Sequence, residues 1–440
     1  MRLPNVLSRL QGPGWSVVDQ SFVSAVNFLS IFLLARAMAP TDFGVFMVAY
    51  TGLLFLIGLQ HAFVIQPHNY MGAPLQHQEF ARFTGMLALM QLISSGGVCL
   101  LLAVAGLLVL ASGFAHYGMV VVALAAIAFP WLMHGFIRRA FYTKGRAKSA
   151  ALNGLVSYGL QLAGVIWLTQ VFPSPSPVSV LLIYGGASFI AALFGVLQMR
   201  HWFDFSGAGS LLIRLQQTSR KVWDFGKWLV AQNMVGWFGM GGDTWVIAGI
   251  LGTEAVGIFR AVVHLSGVLN PLRQAAAAYL PARASLALHH GGRQRLAKWV
   301  RRTTLWLQVA VLPIALTMML FPGVILQLAY GDRFSGYETL LALDAVACVF
   351  EFLRPPLGMA LLAMMASRAM FKIHLVPVLL LPILMVPLVW FFGIFGVPWF
   401  HIVAAGSTLF VTLWFYRRHI RHDRPAVAVE PAEWQPSKGG

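Results

Sequence analysis

The sequence predicts an all-α integral membrane protein with twelve transmembrane helices, and three observations predict it. First, 58% of residues are hydrophobic and only 10% are charged, with a mean hydropathy of +0.74; soluble domains carry roughly 25% charged residues. Second, no polar stretch reaches the ~100 residues of a separate soluble domain. Third, the 31 Lys and Arg are sorted to one side of the barrier. Threaded from the cytoplasm, 26 fall in the N-terminus, cytoplasmic loops or tail, and Arg333 falls in an outside loop. Arg36, Arg260, Arg273 and Arg354 fall within or at the ends of apolar segments. Lys and Arg resist translocation, so this split predicts cytoplasmic N- and C-termini.

A spanning helix needs about 20 mostly apolar residues, and the chain offers twelve such stretches. The first, 16–38, follows Gly12-Pro13-Gly14 and ends at the short outside turn 39–42. Residues 3–10 read as a short amphipathic turn lying in the membrane plane. The next spans are 43–65 and 83–111, then 117–137 after the outside turn 112–117. The loop 138–148 carries five Lys or Arg and leads into 149–171. The Ser/Pro turn 173–177 precedes 178–199. A second basic stretch, 200–227, runs into 223–250, which turns at 251–255 into 255–279. The most basic loop, 281–302, carries six Lys or Arg and precedes 303–328. Residues 330–338 turn into 337–360, followed by 370–392, the turn 393–398 and 396–416. The expected organisation is a six-helix half (1–199), a basic linker (200–222), a second six-helix half (223–416) and a basic, Pro-containing, disordered tail (417–440).

The net charge of +17 sits in short loops between apolar runs. It is the mark of positive-inside topology and anionic lipid headgroups, not of nucleic acid. Cys99 and Cys348 lie inside apolar segments and read as small packing residues. No metal-ligand cluster, GxSxG or phosphate loop with GK[ST] occurs, and outside loops do not exceed about ten residues. The chain is therefore not read as an enzyme, and no cofactor or metal is expected.

An internal repeat joins the halves. Gly44-Val45-Phe46 recurs as Gly257-Ile258-Phe259, an offset of 213 (257 − 44). Each follows an apolar helix and a tight polar turn, and opens another apolar helix. Six helices per half give both copies the same orientation, which implies a pseudo-two-fold axis along the membrane normal with a path between the halves.

Three stretches carry a family resemblance: LLARAMAPTDFGVF (33–46), GGDTWVIAGILGTEAVGIF (241–259) and LAYGDRFSGYETLLALDA (328–345). Together they resemble the bacterial polysaccharide transporters, oligosaccharide-lipid flippases of the multidrug/oligosaccharidyl-lipid/polysaccharide superfamily. Two departures stand out: Thr244 where Arg often follows the helix-7 Asp, and Arg260 where the family commonly has a neutral residue. The resemblance implies a flippase in the bacterial inner (cytoplasmic) membrane. It would move undecaprenyl-diphosphate-linked oligosaccharide to the periplasmic leaflet by alternating access. Membrane lipids, a polysaccharide polymerase and other assembly proteins are the implied partners, and a proton or sodium gradient is the implied drive. The alternatives are a multidrug-type exporter of the same superfamily and a non-transporting scaffold of a polysaccharide assembly complex.

A diphosphate headgroup needs cationic groups in a polar cavity, and the planar fork of Arg binds two of its oxygens at once. Arg260 and His264, with Gly267, Pro271 and Gln274, share a face of the eighth helix at steps of four, three, four and three. Arg260 is read as lining the cavity or snorkelling to the outer interface, and Arg273 as a ligand or a positive-inside anchor. Arg36 closes the first outside turn or reaches the diphosphate. Gln20 and Asn27 on the first helix, and Gln232 on the seventh, offer hydrogen bonds to sugar hydroxyls. Asp243, Asp344 and Glu351 are read as an ion-coupling site or structural ion pairs, with Glu351 pairing to Arg354 across one turn. A mid-bilayer charge costs roughly 2.5–3.5 kcal/mol on insertion scales, so these groups need partners or water.

Overall fold

A computed structural model describes residues 3–72, 75–206 and 210–421, and every element among them is helical. Helix α1 (Leu3–Ala37) runs unbroken through Gly12-Pro13-Gly14, so residues 3–10 form its first turns and not a separate segment. Helix α2 (Pro40–Gln60) opens with Pro40, where a missing N–H leaves no bond unmade. It continues through π-helical turns to Gly72, seven residues past the expected end. Helices α3 (His77–Ala111), α4 (Ala115–Thr143), α5 (Ala147–Val171) and α6 (Pro177–Met199) follow. The Ser176 hydroxyl caps α6 by accepting from the Ser179 N–H at 3.2 Å.

Helix α7 (Leu211–Leu251) takes up half of the expected linker and bends by 47° between 229–238 and 241–251. Helix α8 (Thr253–His264) ends fifteen residues before the predicted span does (279 − 264), because Leu265–Leu269 winds tighter as a 3₁₀ stretch. Helix α9 (Asn270–Leu320) turns at Gly291-Gly292, where Gly292 takes φ 61°, into two arms, 270–290 and 293–320. Helices α10 (Pro322–Tyr330), α11 (Glu338–Ala363), α12 (Ser367–Leu380), α13 (Val386–Phe392) and α14 (Gly396–Arg421) complete the chain. The first five residues of the predicted tail are thus helical, and 422–440 lie outside the described residues.

Ten stretches among the described residues are long and apolar enough to cross a membrane, or eleven counting bent α7. The longest, Arg368–Ile420, contains a left-handed glycine turn at Gly393 (φ 59°), after which α14 packs back on α12 and α13. Side chains such as Leu101, Leu197 and Trp390 lie exposed on the flanks, where lipid would cover them. The largest buried cluster holds Leu34, Phe43, Phe46, Tyr184, Phe259 and Phe334 and joins elements from both ends of the sequence. With lipid as solvent, close packing and not water exclusion holds such a cluster together.

The same neighbour relations recur along the chain. Helix α3 packs on α4, α4 on α6, α1 on α5 and α5 on α6; later, α9 packs on α11, α11 on α14, α7 on α12 and α12 on α14. The two series meet mainly where α2 crosses α8. A Cβ at Gly44 would strike the Thr253 carbonyl oxygen and lie 2.8 Å from Gly257 N, and one at Gly257 would strike the Pro40 carbonyl oxygen and lie 3.0 Å from Gly44 N. Thr253 and Pro40 are separated by the same 213 residues (253 − 40) as the glycines. The crossing is therefore reciprocal between the repeats, and only glycine admits it.

Candidate substrate and ion-coupling site

Most intramembrane charges predicted from the sequence lie on α7, α8, α9 and α11, and the structure pairs them differently. At the α7–α8 corner the Arg260 guanidinium donates to Asp243 Oδ1 at 2.6 Å and to the Thr244 hydroxyl. Asp243 also accepts from the Thr244 N–H at 2.7 Å, and its Oδ2 lies 3.4 Å from His401 Nε2 on α14. Both members of the Arg260–Asp243 pair are mostly buried. Thr244, one of the two departures noted in the sequence, supplies a hydroxyl to Arg260, the other, so the two meet in one contact.

His264 leaves Arg260's company. Its ring stacks on Phe28 at 4.9 Å between centroids, and Nε2 donates to the Phe28 carbonyl at 2.9 Å. Gly267 also lies against Phe28. The single polar face expected along 260–274 is therefore split: its first residue turns to α7, and the next two meet α1. The Gln274 and Gln232 side chains lie outside the described residues.

Further along, Ser266 in the 3₁₀ stretch donates to Asp344 Oδ2 at 2.5 Å, and Asp344 is buried. Arg273 Nη2 donates to Glu351 Oε2 at 3.0 Å. This corrects the expected Glu351–Arg354 pair. Glu351 reaches across to α9, and among the described residues Arg354 has no carboxylate within ion-pair distance. Two prolines explain the local polarity. Pro355 and Pro356 lack N–H groups, so the carbonyls of Glu351 and Phe352 lose their helical donors beside Arg354.

On α1, Gln20 Nε2 lies 3.4 Å from Asp19 Oδ2, and Asn27 is half-buried beside the Phe28–His264 contact. The Arg36 side chain is exposed, but its carbonyl accepts from Arg333 Nη1 at 2.8 Å while Arg333 Nη2 donates to the Met38 carbonyl at 2.7 Å. The outside-loop arginine, not Arg36, thus closes the end of α1, where orphan carbonyls and the helix dipole favour a cation.

Sequence reasoning missed a second charged centre. Asp19 accepts from the Arg138 guanidinium and the Tyr142 hydroxyl, with the Asp19 side chain fully buried and that of Arg138 only 9% exposed. Arg138 was counted in a basic loop because the fourth span was ended at 137; α4 runs to Thr143. Its one sequence signal was Asp19 itself, a lone acid in the first apolar run, which demands a partner. His401 was also missed: it is a single histidine in the last apolar stretch, and its partner Asp243 lies on α7.

The helical architecture is shared with solved membrane proteins of low sequence identity. It superposes on the lipid II flippase MurJ in its inward closed conformation with a TM-score of 0.69 at 10% identity, covering 92% of this chain and 88% of that one. The inward-facing conformation of a multidrug resistance MATE family transporter of the MOP superfamily gives 0.67 at 16% identity, covering 92% and 98%. Its outward-facing counterpart gives 0.59 at 16%, covering 92% and 93%. The profile of the polysaccharide biosynthesis protein family matches residues 10–281, more than half the chain, and the protein belongs to that family. No curated protein matches the sequence as a relative. These solved neighbours are described as transporters and a lipid II flippase.

Proposed function

We propose that the protein flips undecaprenyl-diphosphate-linked oligosaccharide from the cytoplasmic to the periplasmic leaflet of a bacterial inner membrane. Twelve spans in two six-helix halves would rock about an axis along the membrane normal, with Arg368–Ile420 crossing twice. The reciprocal Gly44–Gly257 crossing and the recurring packing order support the two halves.

One observation carries the site. Glu351 lies 13 residues (351 − 338) into the 26-residue stretch Glu338–Ala363, yet its side chain is 49% exposed, as is 48% of Arg273's. A charge at that depth faces water or partners, not acyl chains. The space in front of α9 and α11 is then a polar cavity, and Arg354 and Arg273 are the cations that meet the diphosphate. Arg260, held by Asp243 and Thr244, becomes an organising residue of the closed outer end. The Asp243–His401 and Ser266–Asp344 contacts are where a proton or sodium ion would couple. Gln20 and Asn27 on α1 would meet sugar hydroxyls opposite.

The test is flipping in proteoliposomes of a fluorescent oligosaccharide on undecaprenyl diphosphate, read by an impermeant quencher. Accelerated quenching with the wild-type protein supports the proposal. Absence of flipping, together with protection of cells against cationic drugs, would favour the multidrug-exporter reading.

A further inference from the structure

The α9 hairpin holds a cavity that the transport site does not use. Its two arms meet at Gly291-Gly292, where a Cβ on Gly291 would collide with Arg295. This tight turn brings two helix faces together. Arg283, Leu286 and His290 line one side at steps of three and four; Arg295, Lys298, Trp299 and Arg302 line the other at the same kind of spacing. They line an open hollow of about 470 Å³ at the basic end of the fold, and among the described residues no Asp or Glu lines it.

Two features set this apart from an ordinary solvated basic loop. Arg295, Lys298 and Arg302 face one hollow with His290 beside them, and an anion bound there would lower their mutual repulsion. An apolar strip also continues along the second arm beyond the hollow. One turn beyond Arg302, Leu305, Trp306 and Val309 stand 59–64% exposed along the second arm, and Leu312 continues the row. A ligand with phosphate in the hollow and chains along the strip satisfies both surfaces; a soluble phosphate satisfies only the first.

We infer that the α9 hairpin is a binding site for a two-phosphate headgroup of a lipid in the leaflet facing the basic side of the protein. Basic pockets at that depth are matched to such headgroups. Two lipids share the chemistry, a phospholipid with two phosphodiesters and a polyprenyl diphosphate, and both are compared below. The site stands apart from Arg273 and Arg354, so it holds whether or not the chain is a flippase.

The test is native mass spectrometry of the purified full-length protein titrated with cardiolipin, undecaprenyl diphosphate and phosphatidylglycerol in detergent. Cardiolipin or undecaprenyl diphosphate should bind at least tenfold more tightly than phosphatidylglycerol, and whichever binds tighter identifies the source. Arg295→Gln/Lys298→Gln/Arg302→Gln should weaken that binding by about a hundredfold, from the contribution of each basic residue near the surface. Arg295→Lys/Arg302→Lys keeps the charge and should stay within about tenfold of wild type. Arg220→Gln/Lys221→Gln removes exposed charge elsewhere on the basic stretches and should change nothing. Equal binding of the one-phosphate lipid, an unaffected triple variant, or an equal loss in the Arg220/Lys221 control would each overturn the assignment.

Discussion

Replacing Arg138 by Met should destabilise the protein severely, and the structure sets the size of the effect. Methionine keeps much of the side-chain volume but leaves the Asp19 carboxylate with no exposure and no cation. Removing one partner of a buried pair costs about 3–5 kcal/mol, because the remaining charge stays desolvated. The Tyr142 hydroxyl still donates to Asp19, so the loss belongs near the lower end, about 3 kcal/mol, or a factor of about 150 in the folded-to-unfolded ratio. Asp19→Leu/Arg138→Met removes both charges, and buried pairs replaced by apolar residues are often neutral or better. The assay is denaturant-induced unfolding in mixed micelles followed by helicity, for both single variants and the double. The reasoning fails if Arg138→Met unfolds at the wild-type midpoint, or if the double variant is no more stable than the singles. A double variant that is stable but cannot transport would make the pair part of the transport cycle.

Three further outcomes follow from the contacts described. Gly257→Val would drive a side chain into the Pro40 carbonyl and pry α2 from α8; in a Cys99→Ala/Cys348→Ala background, a cysteine placed at Asn27 should become labelled by an impermeant thiol reagent from the side of the 39–42 turn. Glu351→Gln would free Arg273, which should lower the KM for the lipid-linked substrate in flipping assays while slowing turnover, because the anion is held more tightly by the cavity. Asp204, outside the spans, has its carboxyl held below the ordinary value of 3.8, chiefly by hydrogen bonding with Ser206 and next by Arg82. A depressed folded value gives stability that is present above the unfolded value and lost as pH falls through the lower folded one. The loop 200–206 should therefore resist pepsin down to below pH 3.8 in the wild type and be cut at higher pH in Asp204→Asn.

The spans were legible because a bilayer imposes length and hydropathy on every crossing, and basic residues mark the side that stays behind. The glycines of the α2–α8 crossing were visible as a repeat at a fixed offset, but their contact was not. What stayed hidden was pairing across the fold. Asp19 and Arg138 are 119 residues apart in sequence, and nothing in either local window shows the other. The helix-8 stripe assumed an unbroken 3.6-residue period, and the 3₁₀ stretch at Leu265–Leu269 breaks it. Glu351 and Arg354 have the spacing of a one-turn pair, but Arg273 approaches from α9 and takes the carboxylate. Spacing on one helix gives the neighbours a residue can have, and tertiary packing chooses among them.

The central claim is that Arg354, with Arg273, meets a diphosphate in a mid-membrane cavity. Photocrosslinking tests it most directly: an undecaprenyl-diphosphate oligosaccharide carrying a photoreactive group beside the diphosphate is illuminated with the protein in nanodiscs, and the crosslinked peptide is identified. The account predicts label on α11 around 351–358, lost in Arg354→Ala and retained in Arg354→Lys. Label that spares α11, or is indifferent to Arg354→Ala, would contradict it.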